Sequence, residues 1–520
     1  MKLLKTIGAV YFLLFCSAFA FAQVTTNGSG GGKWSVGSTW AGGHVPAGSE
    51  TITVLSTDSL IIDEAANITG KLINQSTHTV STFDSSQVHF AAGSTYEHAV
   101  DGGDIPKATW DSGSTCLITG VVGSSPSNGN QNFYNVEWNC PNQTSNLNLG
   151  WKGNTIGGNI RVDSSGLARW QMCAPKSPDG TTPDTARVTI NGNVTISGGA
   201  FASNGTSNSL TVVLITQKGN IIATGGNFGV SRGSGPDVVW KLGGDFQISN
   251  TTIQNSGGTT KANALIFTGN TTHTFALNNV TFSGGLTVVI DGGSALEMGT
   301  SQIPVDNTGS FIVNATATMA TGDPTGVNVV QCTGERGGAY KGNHFDTAAN
   351  YIFNGTAAQV TGTQMPATVN DLTIDNAAGV ALSQATTING VLHLKAGEFD
   401  NTTPFTLGPN GSISYEGGSL KVTAVKQIDS PIPHQFFVDQ NFPNPFNPST
   451  SIQFGVPARS FVTVKVFNLL GQEAATLFSG VKNPGTYTVN FNAAELNSGV
   501  YFYRVQAGNS VETKRMILLK

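Results

Sequence analysis

The runs Arg187-Val-Thr-Ile-Asn-Gly192, Leu210-Thr-Val-Val-Leu-Ile215 and Asn220-Ile-Ile-Ala-Thr-Gly-Gly226 decide the fold class of this chain. Each is a short β-forming run of apolar and β-branched residues that ends near glycine or asparagine. A unit of this length cannot bury its own apolar side, whereas units stacked end to end share one core. The pattern predicts an all-β protein with a parallel β-solenoid, in which glycine suits tight bends and asparagine suits left-handed corners.

The same pattern continues outward from these runs over residues 23–424, with almost no helical periodicity. Pairs of adjacent glycines, such as Gly243-Gly244 and Gly284-Gly285, separate the runs at irregular intervals. We expect roughly 18 coils of about 22 residues, which at a rise of about 4.8 Å per coil form a rod of about 85 Å. A set of β-sandwich domains is the alternative, since these also have short strands and frequent turns. The solenoid is favoured because clear hairpin pairs are missing.

The composition limits the possible function classes. Charged residues make up 11% of the 520 positions, less than half the usual share of about 25%, and glycine occupies 65 positions. The net charge is −5. This weak acidity argues against the basic surface that binds nucleic acid, so no nucleic-acid partner is expected. The low charge also argues against intrinsic disorder.

The amino terminus predicts an export signal. An apolar run from Ile7 to Phe15 follows a positively charged start, and Ala20-Phe21-Ala22 is a small-x-small cleavage site. The mature chain is therefore expected to begin at Gln23. The apolar run is too short to span a membrane. Cys16 leaves a lipoprotein signal as an alternative, although Phe15 stands where such a signal needs a small residue.

Four cysteines remain in the expected mature chain, namely Cys116, Cys140, Cys173 and Cys332. An exported chain can oxidise its cysteines, and four cysteines allow three pairings. None lies in a Cys-x-x-Cys pair, and no metal site or cofactor is predicted. If a coil holds about 22 to 24 residues, Cys116 and Cys140 occupy like positions on neighbouring coils, about 4.8 Å apart. We therefore predict a disulfide between these two residues.

The start of the mature chain contains Lys33-Trp34-Ser35 and Ser38-Thr39-Trp40-Ala41-Gly42-Gly43-His44. This phrase resembles the opening of glycine-rich solenoid domains in bacterial secreted proteins. Trp34 and Trp40 allow two interpretations. In the first, their ring faces stack on a sugar, which predicts an extracellular glycan as a partner. In the second, which is favoured, the two rings close the open end of the solenoid core.

A different pattern begins near residue 426. Residues 426–435 contain two prolines and predict a linker. In residues 436–520 the β-forming runs alternate with period 2, so that Val462, Val464 and Val466 share one face of a strand. About seven short strands in about 85 residues predict a small Ig-like β-sandwich with a core of its own.

Several phrases of this segment follow one another in order: Asn441-Phe-Pro-Asn-Pro-Phe-Asn-Pro448, Phe467-Asn-Leu-Leu-Gly-Gln472, Ser498-Gly-Val-Tyr-Phe-Tyr-Arg504 and a basic run that ends at Lys520. The segment resembles the C-terminal sorting domain of type IX secretion substrates, which are surface and secreted proteins of Bacteroidota. The matching positions are Asn441, Pro443, Asn444, Pro445, Asn447, Pro448, Gly471, Gly499, Lys514 and Lys520.

The resemblance implies a route and partners rather than an activity. Substrates of this family cross the inner membrane by a signal peptide, and the outer-membrane translocon of the type IX system then recognises the sorting domain. A surface sortase usually removes the domain, and the cargo is anchored to lipopolysaccharide or released. The resemblance therefore implies a location on the outer face of the outer membrane or in the extracellular space.

The sequence thus predicts five segments. They are a signal peptide at 1–22, an N-terminal β domain or solenoid cap with the first coils at 23–170, the main β-solenoid at 171–425, a linker at 426–435 and the sorting domain at 436–520.

No catalytic residue is predicted. The chain contains neither a His-Glu-x-x-His zinc motif nor a calcium-loop motif. Its single Gly-x-Ser-x-Gly match, Gly229-Val-Ser-Arg-Gly233, is expected by chance in so glycine-rich a chain. The favoured hypothesis is a non-catalytic surface or secreted protein for adhesion, matrix formation or glycan binding. The alternative is a secreted polysaccharide lyase or glycosidase, which needs carboxylates, or an arginine and a carboxylate, that converge in a groove.

Overall fold

The computed structural model describes residues 23–520 apart from 79, 83–87, 176–178, 206–209, 234, 236, 256–262, 336–337, 422–425 and 429–432. The predicted signal peptide, including Ala20 and Ala22, lies outside the described residues. The chain divides into two compact units, Met1–Ser419 and Leu420–Lys520. Within the described part, no helix has the length and apolar character needed to cross a membrane.

The first unit is a parallel β-solenoid, as the sequence predicted. Its long sheet has 17 strands. Each strand of this sheet pairs in parallel with the strand one coil later, so the stack contains about 16 coils. The strands are Gln23–Thr25, Thr51–Val54, Lys71–Asn74, Thr95–His98, Thr115–Ile118, Asn135–Asn139, Ile160–Ser164, Val194–Ile196, Ile221–Ala223, Phe246–Ser249, Thr272–Asn278, Ala295–Glu297, Thr318–Thr321, Asn350–Phe353, Leu372–Asp375, Val391–Ala396 and Ser412–Tyr415.

The second face of the solenoid, which follows the long sheet within each coil, consists of three separate parallel sheets. The first contains Gly31–Lys33, Ser59–Ile62 and Val80–Thr82. The second contains Leu147–Asn148, Arg169–Cys173, Ala200–Asn204, Asn227–Gly229, Thr252–Asn255 and Thr281–Gly284. The third contains Gln359–Val360, Val380–Ala381, Glu398–Asp400 and Ser419–Leu420.

The third face is interrupted in the same way. Its first sheet contains Ala66–Ile68, Val88–Phe90 and Thr109–Trp110. Its second contains Thr155–Ile156, Asp184–Ile190, Thr211–Gln217, Asp237–Leu242, Asn263–Phe267, Thr287–Ile290, Phe311–Val313 and His344–Phe345. Its third contains Thr368–Val369, Thr386–Ile388 and Phe405–Leu407. Short 3-10 helices lie at Gly37–Thr39, Gly326–Val329 and Gly338–Tyr340.

The coils differ widely in length. Thr115 pairs with Asn135, so that coil holds 20 residues, whereas Ile160 pairs with Val194 in a coil of 34 residues. The structure therefore has about 16 coils where the sequence predicted roughly 18, because the longer central coils use more chain for each turn. At a rise of about 4.8 Å per coil, the 16 coils span about 77 Å.

Asparagine side chains form a ladder at one corner of the central coils. The Oδ1 atoms of Asn135, Asn159, Asn193 and Asn220 each accept a backbone N–H bond of 2.8 Å from the next coil, the last of them from Asp245. These bonds satisfy backbone donors where the strand ladder ends. Other asparagines occupy left-handed corners, as the sequence predicted; they are Asn128, Asn250, Asn270 and Asn279.

The second unit consists of two four-stranded antiparallel sheets. One contains Lys426–Ile428, Phe437–Val438, Ser449–Val456 and Gly485–Asn492, and the other contains Ser460–Phe467, Glu473–Lys482, Gly499–Ala507 and Ser510–Leu518. The inward residues of both sheets form one core, which includes Val462, Val464 and Val466 as the period-2 pattern predicted.

The first strand of this unit lies inside the segment that the sequence predicted as a linker. Lys426–Ile428 pairs in antiparallel register with residues 486–488 at the edge of a sheet. Residues 426–435 therefore are not a linker throughout. The two packed antiparallel sheets agree with the predicted sandwich, and its classification as Ig-like stays a prediction.

Candidate functional site

Trp34 and Trp40 close the first coil and do not form a sugar-stacking surface. Their residues are only 3% and 2% exposed, and their rings meet edge to face with centroids 5.2 Å apart. The Trp40 indole Nε1 donates a hydrogen bond of 2.9 Å to the Trp34 carbonyl oxygen. Stacking on a sugar requires an exposed ring face. The glycan-stacking interpretation of these two residues is therefore wrong, and the favoured end-cap interpretation fits the burial.

The predicted Cys116–Cys140 disulfide is also wrong. Both residues are buried with free thiols. Cys116 pairs in register with Val136, so Cys140 lies four residues beyond the like position. Four residues of extended strand span about 13 Å, well over the limit of about 7 Å between the Cα atoms of a disulfide. The error arose because this coil holds fewer residues than the spacing of the two cysteines.

Carboxylates meet an arginine at one place on the outer side of the long sheet. The Arg161 guanidinium lies 3.2 Å from Glu137 and 2.9 Å from Asp163. Its positive charge is thus matched by both neighbours on an open sheet surface, which is the usual arrangement of a structural ion pair. Over the described ranges, no cluster of three or more His, Cys, Asp or Glu side chains is arranged to hold a metal ion.

A polar groove lies where the third face of the solenoid is interrupted. The first sheet of that face ends at Thr109–Trp110, and the next sheet starts at Thr155–Ile156. Segments of three successive coils border the gap and line an open cavity of about 700 Å³. The lining residues are Lys107, Ala108, Thr109, Trp110, Asn128, Asn130, Gln131, Asn132, Gly153 and Asn154.

Side-chain amides connect the three segments that border the groove. Gln131 Oε1 accepts a hydrogen bond of 2.9 Å from the backbone of Ala108, and its Nε2 donates to the Pro106 carbonyl at 3.1 Å. Asn154 Nδ2 donates to the Gln131 carbonyl at 2.8 Å, and Asn132 Oδ1 accepts from the Thr155 backbone at 2.9 Å. These side-chain hydrogen bonds hold the three segments together where no strand ladder joins them, because amides carry both donor and acceptor atoms.

Trp110 supplies the aromatic wall of the groove. One face of its ring stacks on Phe90 with centroids 4.3 Å apart, and Phe133 meets it edge to face at 4.9 Å. The residue is partly exposed and belongs to the lining of the groove, whereas its indole Nε1 is buried and has no hydrogen-bond partner in the described part of the chain. The buried ring of Tyr96 also meets the indole edge to face at 6.3 Å. Packing on these three buried rings fixes the orientation of the indole, which lowers the entropy that a ligand loses on binding.

The groove combines a fixed aromatic ring with exposed amides of Asn128, Asn130 and Asn132. This chemistry suits a ligand with apolar faces and many hydroxyl groups, such as a sugar. Among the described residues that line the groove, the only charged side chain is that of Lys107. Sequence analysis missed this site, although the amide-rich phrase Asn128-Gly-Asn-Gln-Asn132, about one coil after Trp110, was an available signal.

In the second unit, the Asn441–Pro448 motif is attached to the last strand. Asn441 is 1% exposed, and its backbone N–H donates to the Tyr503 hydroxyl at 2.9 Å. Asn444 Oδ1 accepts from the Ile517 backbone at 2.9 Å. Phe446 donates to the carbonyl of Ile517 and accepts from the N–H of Leu519, both at 2.9 Å. These contacts give the motif a structural role at the carboxyl end of the chain.

The remaining motif positions lie mostly at the surface. Gly471 has a φ of +74° in a turn that Asn468 closes through its own side chain, which suits glycine. Lys514 pairs with Glu512 at 3.3 Å, and the Lys520 backbone donates to the Ser498 hydroxyl at 2.9 Å. Pro443, Pro445 and Asn447 are exposed, Pro448 is half-buried, and Gly499 begins the strand Gly499–Ala507.

Residues 440–519 match the family described as secretion system C-terminal sorting domain. Comparisons with curated proteins and with solved structures gave no match for the chain. The matched residues contain six of the eight strands of the two antiparallel sheets and the motif phrases of the second unit. The domain implies interaction with the type IX secretion machinery and export to the cell surface or the extracellular space. The chain is therefore a type IX secretion substrate, in which a β-solenoid cargo precedes a C-terminal sorting domain.

Proposed function

We propose that the exported solenoid is a non-catalytic glycan-binding protein of the cell surface or extracellular matrix, and that it holds sugar residues in the groove beside Trp110. The observation that supports this is the lining of the groove, which contains a fixed indole ring together with exposed asparagine amides. Hydroxyl groups of a sugar both donate and accept hydrogen bonds, as amides do. The apolar face of a pyranose ring packs on an aromatic side chain.

The enzyme alternative needs paired carboxylates or an arginine with a carboxylate in a groove. The charged cluster of Glu137, Arg161 and Asp163 lies on the long sheet, and its members pair with one another. The groove itself has an amide lining and Lys107. This distribution supports binding in preference to hydrolysis or elimination.

Delivery follows from the sorting domain, and the final attachment belongs to the proposal. We expect the signal peptide to be cleaved before Gln23, and the translocon to recognise the folded sorting domain. A surface sortase then removes this domain and joins the solenoid to lipopolysaccharide. Mass spectrometry of the cell-surface form tests this sequence of events. A surface form that retained residues 440–519 would contradict removal by the sortase.

A glycan array probed with the full chain tests binding, and calorimetry with the best ligand measures the affinity. We expect Trp110→Ala to weaken binding about tenfold, which corresponds to the loss of one aromatic contact. Trp110 also packs on Phe90, so the exposed-residue variant Asn130→Ala separates lost binding from lost folding. Asn139→Ala is the matched control, because Asn139 is exposed on the long sheet of the next coil.

The enzyme alternative is tested with the same ligands by an assay for released reducing ends. Release of reducing ends by the purified chain would favour the enzyme. Binding that Trp110→Ala and Asn130→Ala leave unchanged would reject the groove as the binding site. Binding that is lost in both variants and kept in Asn139→Ala would support the proposal.

A further inference from the structure

Two arginines, Arg169 and Arg232, lie on the outer side of the second face in the central coils. In the strand Arg169–Cys173, Trp170 points into the solenoid and stacks on Trp138 at 5.1 Å. Since side chains alternate along a strand, Arg169 and Gln171 point outward. Across the described part of the chain, no carboxylate pairs with Arg169 or with Arg232.

Small residues let the second arginine approach the first. Gln171 pairs in register with Ala202, and Ala202 pairs with Gly229. The Cγ and Cδ atoms of Arg232 lie 3.2 Å from the place where a Cβ atom on Gly229 would be. The stem of Arg232 therefore lies across the sheet at Gly229, on the outer side that Arg169 also occupies.

The two guanidinium groups are close enough to influence each other. Burial lowers the pKa of Arg232, and the positive charge of Arg169 lowers it further. Burial also lowers the pKa of Arg169. Like charges held together without a counter-charge are unfavourable, and the whole chain has a net charge of −5. This local excess of positive charge therefore differs in sign from the rest of the protein.

Both arginines also lack a partner for one donor. The Nε atoms of Arg169 and Arg232 are buried and form no hydrogen bond with any described residue. A buried donor without a partner is destabilising, and groups of this kind in native proteins call for a specific explanation. A bound oxyanion supplies both the missing acceptor and the missing negative charge, since guanidinium groups bind carboxylate and sulfate in a bidentate manner.

We propose that Arg169 and Arg232 form a binding site for an oxyanion, namely a carboxylate or sulfate group of an acidic polysaccharide. Ser231, the central residue of the Gly-x-Ser-x-Gly match, is fully buried, and its hydroxyl donates to the Gly233 carbonyl at 3.0 Å. The Ser231 hydroxyl is therefore held inside the fold, and Arg232 is the residue of that phrase that the proposal uses. The arginine site and the groove beside Trp110 have no residue in common. This proposal therefore does not depend on glycan binding in the groove.

The test measures binding of the full chain to polygalacturonate, dextran sulfate and neutral dextran at fixed ionic strength. The variants are Arg169→Gln, Arg232→Gln and the double variant. Arg187→Gln is the matched control, because Arg187 is an exposed arginine on the neighbouring face. We expect each site variant to weaken binding of the charged polymers about tenfold to hundredfold, the range for loss of a charge-assisted hydrogen bond. The control should bind like the wild type.

Thermal unfolding supplies a second measurement that separates binding from a structural role. Without an anion, Arg232→Gln should unfold at the same temperature as the wild type or higher, because a repulsive pair is removed. Inorganic sulfate should raise the unfolding temperature of the wild type more than that of the variant, compared with chloride at equal ionic strength.

Three results would overturn the proposal. They are equal binding of neutral and charged dextrans, equal binding by the site variants and the wild type, and a loss of stability in Arg232→Gln that is the same with and without sulfate. Stabilisation by inorganic sulfate with no binding of either charged polymer would overturn the assignment to a polysaccharide.

Discussion

The substitution Asn441→Ala tests whether the first motif of the sorting domain acts through the fold. The Asn441 side chain is 1% exposed. Its Nδ2 donates to Thr450 Oγ1 at 2.9 Å and to the Pro443 carbonyl at 3.1 Å, and its Oδ1 accepts from Gln440 Nε2 at 2.6 Å. Alanine removes all three hydrogen bonds, each with a net value of about 1 kcal/mol.

The expected loss of stability is smaller than the sum of the three hydrogen bonds, because two of the groups bonded to Asn441 find or keep other partners. Gln440 is exposed and regains water, and the Thr450 hydroxyl still donates to the Pro443 carbonyl at 2.8 Å. We therefore expect the opening free energy of residues 440–519 to fall by about 2 to 3 kcal/mol. This raises amide exchange in the strands at the carboxyl end of the chain by about 30- to 150-fold. Hydrogen-exchange mass spectrometry on the full chain measures it.

Asn447→Ala is the matched control, because Asn447 belongs to the same motif and is exposed. We expect it to change the opening free energy by less than about 0.5 kcal/mol. Flow cytometry of a host with a type IX system then compares surface display of the two variants. Reduced display of Asn441→Ala alone would show that sorting depends on the folded motif. Unchanged exchange in Asn441→Ala would refute the structural role assigned to this residue.

Two further predictions follow from the burial of other groups, and a third follows from the sorting domain. Burial lowers the pKa of His98, which lies against the Tyr96 hydroxyl and the Gly102 carbonyl. The unfolded chain therefore takes up a proton first, and the free energy of unfolding should fall as the pH drops below about 6.5; urea titrations from about pH 7.5 to about pH 5 check this, and His98→Gln should flatten the dependence. Burial raises the pKa of Cys140 and of Cys173 to about 12, so native thiols should resist iodoacetamide and all four should react in guanidinium; a disulfide found in native protein would contradict the observed register. Deletion of residues 420–520 should leave a folded solenoid in the periplasm, as fractionation and protease resistance would show, and surface display of the truncated chain would contradict the sorting assignment.

The local sequence pattern was sufficient to predict the sorting domain. Val462, Val464 and Val466 alternate with polar residues within one strand, and all three are buried in the core of that unit. The order of the motif phrases predicted the family, and the family match at residues 440–519 confirmed it. These features depend on neighbours in the chain or on short hairpins, so they can be derived from a single sequence.

The class of the cargo was also determined by sequence, since short glycine-flanked runs cannot bury their apolar sides alone. The sequence did not determine the contacts between coils. Because the coils vary from 20 to 34 residues, the partner of each residue on the next coil depends on the strand register. For this reason the sequence paired Cys116 with Cys140 wrongly. For the same reason it could not bring Trp110 beside Asn130, or Arg232 onto the sheet of Arg169. A solenoid satisfies its backbone hydrogen bonds between coils, so loop length shifts register at little cost, and only the tertiary structure decides which distant side chains meet.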